Sequence, residues 1–335
     1  MDKFALLIQG PLTSRGMPGA KLHDAKGARL KKHSVTYDCR DNIISLIENY
    51  GSNFDKIVVS TWEDQVLKNE SFKGSDLITF KDPGTLSFQP DGKPNNKFRQ
   101  FFGIHGGLKY LKESGFSGYV IKIRSDNYVD VAAIISYFKN ISDSRKESSI
   151  GVPISIPTRC YIQDFYFVGT IDNLLEFTEA QIQYQEFTDS VHNETILKYA
   201  FYKYRNDKII NPIAYFPAFF KPFVFSQTLK VAEYMGENAF FELPKTIFYT
   251  QIQRGSKISN EFRERLESSR KTKLRSIHIP MLCINLKIYT DVVGSQKSDQ
   301  IRNTARIKPL LNSLALMLIS FSFALYVIFR RKFLS

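Results

Sequence analysis

The segment YVIKIRSDNYVD, from Tyr119 to Asp130, decides the predicted fold. Its first residues are apolar apart from one lysine, which is typical of a β-strand over Tyr119–Ile123. That strand runs directly into Arg124 and, two positions later, Asp126. This pattern fits a solvated turn, but it also fits a ligand site, because open α/β sheets bind ligands at the carboxyl ends of their strands. A carboxylate at position 126 could bind a divalent cation or cap the following helix.

Apolar periodicity outward from this segment predicts alternating strands and helices. Strands are predicted over Phe4–Gln9, Lys56–Ser60, Leu77–Phe80 and Tyr119–Ile123, and helices over Cys39–Tyr50 and Phe98–Leu111. Such alternation requires crossover connections and predicts an α/β fold with a mostly parallel central sheet. Beyond Asp126 the pattern is looser, with a strand within Tyr161–Val168, a polar loop over Ser142–Ser149, and helices over Val131–Phe138, Ile171–Phe177 and Glu194–Tyr204.

Composition narrows the classes of partner. The chain has 335 residues, a net charge of +13 and 43% hydrophobic residues, so it can bury a sizeable core and favours an anionic partner. No nucleic-acid-binding motif accompanies the charge, and we expect no nucleic-acid partner. No Walker A loop, GxGxxG or GxSxG pattern occurs. The widely spaced Cys39, Cys160 and Cys283 argue against a zinc site and for reduced thiols in the cytosol.

The segment Leu310–Phe329 contains no charged residue. At about 1.5 Å per residue it matches the ~30 Å hydrocarbon core of a bilayer, and it predicts a single-pass membrane anchor rather than a buried helix. The basic excess between Arg263 and Arg275 favours a cytosolic catalytic domain with a short translocated tail. The predicted divisions are a catalytic domain over 1–250, a basic helical linker or membrane-proximal segment over 251–309, the anchor over 310–329 and a basic tail over 330–335.

Several short segments, taken in order, resemble the WavE lipopolysaccharide-synthesis family. They are LLIQGP (Leu6–Pro11), TYDCRDNI (Thr36–Ile43), IVVSTWED (Ile57–Asp64), DPG (Asp82–Gly84), NKFRQ (Asn96–Gln100), YVIKIRSD (Tyr119–Asp126), DFYFVGT (Asp164–Thr170) and HNETIL (His192–Leu197). Each segment is short, but their order and spacing make the resemblance specific. It spans roughly residues 4–205 and leaves the C-terminal third outside.

The resemblance implies a GT-A-like nucleotide-sugar transferase fold. In such folds a D-x-D motif at the end of a central strand holds the ribose, a metal ion and the donor diphosphate. Here Asp126 matches the last aspartate and Arg124 replaces the first. Asp126 is therefore the expected ligand of a divalent cation, Mn²⁺ or Mg²⁺, while Arg124 either contacts the diphosphate in place of a cation or pairs with a carboxylate.

Other segments acquire donor-binding roles under the same resemblance. The candidates for contacts with the nucleotide base, the phosphates or the sugar are Gln9, Gly10, Pro11, Trp62, Lys97, Arg99 and Gln100. The first three end a predicted strand, and an ordinary turn is the alternative. The helix N-terminus near Lys97 suits phosphate, although a solvated basic face is the alternative. Trp62, the sole tryptophan, suits stacking on a base or packing in the core.

An inverting transferase also needs a general base for the acceptor hydroxyl. Asp164, which precedes an apolar strand, is the first candidate, and Glu194 is the second. Helix capping or an ion pair is the alternative role for either carboxylate.

These inferences predict a membrane-attached, hexosyltransferase-like glycosyltransferase. Its expected partners are a nucleotide-sugar donor and a glycan or lipid-linked acceptor of lipopolysaccharide or capsule synthesis, with anionic lipid head groups attracted to the basic surface. Two alternatives stay open. One is a nucleotide-dependent transferase of a phosphoalcohol or sugar phosphate, and the other is a non-catalytic, membrane-anchored scaffold with a degenerate transferase fold.

Overall fold

The structure of the protein is a computed structural model. It describes residues 2–16, 35–84, 96–153, 155–156, 161–183 and 239–260, together with 195, 199, 202–203 and 264. The described residues belong to one compact unit, formed by 1–205 and 227–279. The candidate base Glu194 and the predicted anchor Leu310–Phe329 lie outside the described residues. Within the described part, no helix is both long and apolar enough to cross a membrane.

The strands are short and separated by helices. They are β1 (Phe4–Gln9), β2 (Thr13–Gly16), β3 (Val35–Asp38), β4 (Lys56–Trp62), β5 (Asp76–Phe80), β6 (Tyr119–Arg124), β7 (Asn127–Tyr128), β8 (Ile150–Val152), β9 (Ser155–Ile156), β10 (Tyr161–Ile162), β11 (Tyr166–Thr170), β12 (Phe240–Glu242), β13 (Ile252–Gln253) and β14 (Ser256–Lys257). The helices are α1 (Arg40–Tyr50), α2 (Lys97–Glu113), α3 (Val131–Asn140), α4 (Asp143–Ser148), α5 (Ile171–Gln183) and α6 (Lys245–Thr250).

The central sheet of the described residues has the strand order β12-β8-β11-β6-β1-β4-β5. Strand β11 runs antiparallel to both of its neighbours, whereas the β12–β8, β6–β1, β1–β4 and β4–β5 pairs are parallel. The prediction of an α/β fold with a mostly parallel sheet is therefore confirmed. Crossovers through α1 and α2 allow the parallel pairing, as the alternation of apolar patterns required.

Helices cover both faces of this sheet, so β1 is buried along its whole length. On one face, Leu6 and Ile8 join a core that includes Ile43 of α1. On the other face, Leu7 packs so closely against α2 that a Cβ on Gly107 would lie 2.5 Å from a Leu7 methyl carbon. A continuous apolar strand is what a sheet buried on both faces demands.

The polar loop predicted over Ser142–Ser149 is wrong, because Asp143–Ser148 forms the short helix α4. The polar sequence contains an ion pair between residues three positions apart, a spacing that is typical of a helix. The ammonium of Lys146 lies 3.0 Å from Asp143, three residues earlier, while the rest of the lysine side chain is buried. Pairs spaced three residues apart support a helix that apolar periodicity does not reveal.

Candidate functional site

The strand order reverses direction at the carboxyl ends of β1 and β6. The chain leaves β1 for β4 and β5 on one side and then returns through α2 to β6 on the other side. Open α/β sheets bind ligands at such a reversal, outside the carboxyl ends of the strands. Gln9 pairs with Arg124 across these two strand ends. Two of the predicted donor-binding residues therefore lie side by side at this edge of the sheet.

The loops that follow β1 and β6 are bonded to each other. Ser125 donates its N–H to the carbonyl oxygen of Gln9 at 3.0 Å and its hydroxyl to that of Pro11 at 2.7 Å. Gly10, with a φ of +147°, lies where a Cβ would be 2.4 Å from the Ser125 hydroxyl oxygen. Only glycine allows this approach without displacing Ser125. The Gln9 side chain is buried, and its amide nitrogen would lie 3.0 Å from a Cβ on Gly103 of α2.

Asp126 is almost fully buried, at 2% exposure, and both of its carboxylate oxygens are bonded. Oδ1 accepts from Nε of Arg124 at 2.9 Å. Oδ2 accepts from Nη2 of Arg124 at 3.0 Å, from the Ser14 hydroxyl at 2.9 Å and from Nη2 of Arg254 at 2.8 Å. Burial alone would raise the pKa of Asp126, but the two guanidinium groups lower it to about 2. The carboxylate is therefore ionised at neutral pH and held from several directions.

Arg124 links this buried carboxylate to a more exposed one. Its Nε and Nη2 dock on Asp126, and its Nη1 lies 3.4 Å from Oδ2 of Asp164. Burial works against the charge of Arg124, but Asp126 and Asp164 outweigh it and raise the pKa of the guanidinium. The side chains of Arg124 and Asp164 are 23% and 29% exposed. This outer pair is therefore more accessible to solvent than the buried Asp126.

A buried lysine donates a hydrogen bond to the backbone of Asp164. Nζ of Lys122, in the middle of β6, donates to the carbonyl oxygen of Asp164 at 2.8 Å and lies 4.9 Å from the centroid of the Phe167 ring. Nε2 of Gln100 reaches the same carbonyl oxygen at 3.5 Å. Burial would raise the pKa of the Asp164 carboxyl, but Arg124 and Lys122 lower it. Asp164 is thus a carboxylate in its proton-accepting form at neutral pH.

Lys122 itself carries a cost, because burial lowers its pKa to about 7. In the unfolded chain the lysine keeps an ordinary pKa near 10.4, so the folded state binds the proton less tightly than the unfolded state. The charged lysine therefore destabilises the folded protein below pH ~7, and this destabilisation is relieved as the pH rises towards ~10. We expect Lys122→Met to stabilise the protein at pH 6 by about 1–3 kcal/mol, with a smaller gain at pH 9.

Urea unfolding at the two pH values measures this gain, with the exposed Lys109→Met as the matched control. A Lys122→Met variant that is less stable than wild type at pH 6 would contradict the expectation.

The donors around Asp126 do not fit a divalent cation. Each carboxylate oxygen already accepts from a guanidinium, and Ser14 adds a third donor to Oδ2. A metal ion at this carboxylate would face two fixed positive charges at hydrogen-bonding distance. In the described ranges no three His, Cys, Asp or Glu side chains cluster as a metal site would require. Arg124 pairs with both Asp126 and Asp164 in the structure, and its contact with a diphosphate stays a prediction.

The predicted phosphate-binding residues at the start of α2 lie in a different set of contacts. Arg99 forms a two-pronged ion pair with Asp82, with Nε 2.8 Å from Oδ1 and Nη2 on Oδ2. Its guanidinium also lies 5.6 Å from the centroid of the Trp62 ring, which is buried at 3% exposure. This pairing fixes the Asp82–Gly84 turn to α2. Lys97 is partly buried in the first turn of the same helix.

Sequence reasoning missed four residues that build the centre of the site: Ser14, Asn42, Lys122 and Arg254. Asn42 of α1 donates to the carbonyl oxygens of Ser125 at 2.8 Å and of Asn127 at 2.9 Å, which fixes the turn that carries Asp126. No local sequence pattern predicts these contacts, because they join distant parts of the chain. Arg254 and Ser14, for example, are 240 residues apart and 3.0 Å from Nε to Oγ.

The boundary predicted after residue 250 falls inside the folded unit. Strand β13 pairs with β7, directly after Asp126, and β14 pairs with β13. The described residues 239–260 belong to the same compact unit as the central sheet. The segment that the sequence suggested as the start of a linker therefore supplies a strand and an arginine to the site.

The sequence also matches a known protein family. A family model described as WavE lipopolysaccharide synthesis matches residues 6–211, which is more than half of the chain. The chain belongs to the WavE family. This match confirms the resemblance inferred from the short segments. Arg254 of this WavE protein lies outside the matched range. No curated protein matches the sequence.

Solved structures resemble this WavE protein only remotely. A mannose-1-phosphate geranyltransferase from Thermus thermophilus is 11% identical, with 60% of this chain and 68% of that chain covered and a TM-score of 0.28. A putative glucose-1-phosphate thymidylyltransferase from Bacillus anthracis is 10% identical, with 81% and 96% covered and a TM-score of 0.32. A 4-diphosphocytidyl-2C-methyl-D-erythritol synthase is 9% identical, with 57% and 87% covered and a TM-score of 0.29. At these scores the likenesses carry no argument about activity.

Proposed function

We propose that this WavE family member is a GT-A-like glycosyltransferase that moves a sugar from a nucleotide-sugar donor to a surface polysaccharide or a lipid-linked acceptor. Family membership supports a place in lipopolysaccharide synthesis. The observation that carries the proposal is the partly exposed Arg124–Asp164 pair at the carboxyl edge of the sheet. It offers a cation for a phosphorylated donor and a carboxylate for a hydroxyl group at the position where such sheets bind ligands.

In this proposal Arg124 contacts the donor diphosphate. Its Nε and Nη2 are docked on Asp126, which leaves Nη1 as the nitrogen that exchanges Asp164 for a phosphate oxygen. A planar guanidinium is suited to phosphate, and its charge stabilises the nucleoside diphosphate that leaves. No step is assigned to a metal ion, since the donor set at Asp126 does not fit one.

Asp164 is the proposed general base. It is ionised at neutral pH, it is partly exposed, and its backbone is fixed by Lys122. In an inverting transfer it would accept the proton of the acceptor hydroxyl while that oxygen attacks the anomeric carbon. The bond to the diphosphate breaks as the new glycosidic bond forms, and the electron pair leaves with the nucleoside diphosphate.

A membrane location remains part of the proposal. The uncharged segment Leu310–Phe329 would anchor the enzyme, with the catalytic domain in the cytosol, close to an acceptor that itself lies in the membrane. The net charge of +13 would add attraction to anionic lipid head groups.

The function is tested with a panel of UDP-, GDP-, CDP- and dTDP-sugars, by measuring nucleotide release from the full-length protein in detergent. We expect release from one donor class, because bound donors of transferases hydrolyse slowly without an acceptor. In Arg124→Ala, the loss of a charge-assisted contact of about 1.5–3 kcal/mol should lower nucleotide affinity about tenfold or more.

Release from CDP-alcohols but from no nucleotide sugar would replace this proposal with a phosphoalcohol transferase. Release from no donor, with or without added membranes, would favour the scaffold alternative.

A further inference from the structure

The turn between β13 and β14 breaks a local rule of hairpin chemistry. Gln253 pairs with Ser256, so only Arg254 and Gly255 form the loop. Both have positive φ, +47° and +75°. Two-residue loops of this type strongly favour Asn-Gly, because asparagine tolerates the left-handed region and a long side chain does not gain from it. An arginine at the first position therefore needs contacts elsewhere in the structure to explain it.

Those contacts are with the candidate site. The backbone N–H of Arg254 donates to the carbonyl oxygen of Asp126 at 2.9 Å, and its Nη2 lies 2.8 Å from Oδ2 of the same residue. Its Nε donates to the Ser14 hydroxyl at 3.0 Å. The guanidinium also packs on Gly16, where a Cβ would lie 2.8 Å from Cζ. The strained turn thus presents a guanidinium, 12% exposed, to one carboxylate and the strand beside it.

These bonds fix Asp126 independently of Arg124. Oδ2 of Asp126 is shared by Arg254, Ser14 and one nitrogen of Arg124. With the carboxylate held in this way, Nε and Nη2 of Arg124 have a rigid docking point, and Nη1 is left facing Asp164. The four charged side chains form a chain of alternating sign, with Arg254 at its inner end and Asp164 at its outer end.

We propose that Arg254 is a positioning residue of the donor site. Through Asp126 it fixes the orientation of Arg124, and so sets the affinity of the site for the diphosphate of the donor. This inference rests on the proposed function, in which Arg124 contacts that diphosphate. It also means that the family-matched segment, residues 6–211, is completed by a residue beyond it.

The test replaces Arg254 with asparagine in the full-length protein. Asparagine suits this turn, so Arg254→Asn should leave nucleotide affinity unchanged if Arg254 is needed only for the turn. Binding of UDP, GDP, CDP and dTDP and of the matching monophosphates is measured by calorimetry. We expect at least a tenfold weaker affinity for the preferred diphosphate, at most a threefold change for its monophosphate, and partial recovery in Arg254→Lys. The exposed Lys257→Ala, in the same hairpin, is the matched control.

Diphosphate affinity within twofold of wild type in Arg254→Asn overturns the inference. An equal loss for the diphosphate and the monophosphate also overturns it, since that result indicates general damage rather than orientation of Arg124. Should Arg254→Asn fail to fold, Arg254→Lys decides, because lysine cannot bridge Asp126 and Ser14 with a planar fork. Unchanged diphosphate affinity in Arg254→Lys would then overturn the inference.

Failure of the proposed function is distinguishable from failure of this inference. If the wild-type protein binds no nucleotide of the panel, the proposed function is what fails. Crystal structures of the wild type and of Arg254→Asn then test the positioning role directly. Release of the Arg124 fork from Asp126 in the variant supports it, and an unmoved fork rejects it.

Discussion

Asp126→Asn is expected to destabilise the fold by about 3–5 kcal/mol, because it removes one partner of a buried ionic network. Asparagine has a similar shape, but it leaves Arg124 and Arg254 without the negative charge that both now contact. A loss of this size is a large fraction of the total stability of an ordinary domain. Transfer should fall below detection, because Arg124 loses the carboxylate on which it is docked.

Urea unfolding and donor turnover measure the two effects of Asp126→Asn. The matched control is Asp172→Asn, since Asp172 pairs with Lys112 at 2.9 Å on the surface and its side chain is 70% exposed. Removing that pair should cost less than about 1 kcal/mol. If Asp126→Asn were as stable and as active as Asp172→Asn, Asp126 would serve only as a local turn contact.

The same carboxylate gives wild-type stability a defined dependence on acid. The pKa of Asp126 is about 2 in the folded protein and near 3.9 in the unfolded chain. Because the folded value is the lower one, the stabilisation is fully present above pH ~4 and is lost as the pH falls towards 2. It amounts to about 2–3 kcal/mol. Asp126→Asn should lack this part of the acid sensitivity.

Apolar periodicity predicted the framework of the protein because each of its central elements is buried in a simple way. Phe4–Gln9 and Tyr119–Arg124 are buried on both faces of the sheet, so their sequences are almost continuously apolar. Once the strands alternate with helices, parallel pairing follows, and polar residues at strand ends become candidates for a site. Asp126 and Arg124 became candidate site residues in this way.

The remaining parts of the site depend on contacts that local sequence does not encode. Lys122 interrupts an apolar strand, which suggests an exposed position, but it is fully buried, and its ammonium donates to the carbonyl oxygen of Asp164. Arg254 lies in a basic stretch that suggested a linker, and only the pairing of β13 with β7 brings it to Asp126. A two-residue R-G turn between short strands was the one local signal available, and it indicates a hairpin but not its partner.

For Arg99 the local sequence suggests a binding role, but in the structure the side chain already has other partners. Its position at the start of a helix suits phosphate binding. In the structure its guanidinium is already paired with Asp82 and lies over Trp62. Phosphate contact by Arg99 and base stacking by Trp62 stay predictions, and each would require a ligand to compete with an existing contact.

The second large effect is expected for Asp164→Asn, which should lower kcat by about 10²–10⁴-fold if Asp164 is the general base. The affinity for the nucleoside diphosphate should rise or stay the same. Asp164 now faces Nη1 of Arg124 at 3.4 Å, and this carboxylate competes with the donor diphosphate for the same guanidinium nitrogen. Removing its charge therefore abolishes proton acceptance while it relieves that competition.

The two possible roles of Asp164 separate in one pair of measurements. A base gives lower kcat with equal or tighter diphosphate binding in Asp164→Asn, whereas a purely structural partner of Arg124 gives weaker binding together with the loss of rate. Because Arg124 lowers the pKa of Asp164, the carboxylate is ionised at neutral pH, and its titration should not limit wild-type kcat/KM there. If Asp164→Asn keeps turnover within threefold of wild type, the base lies elsewhere, and Glu194→Gln becomes the next variant to measure.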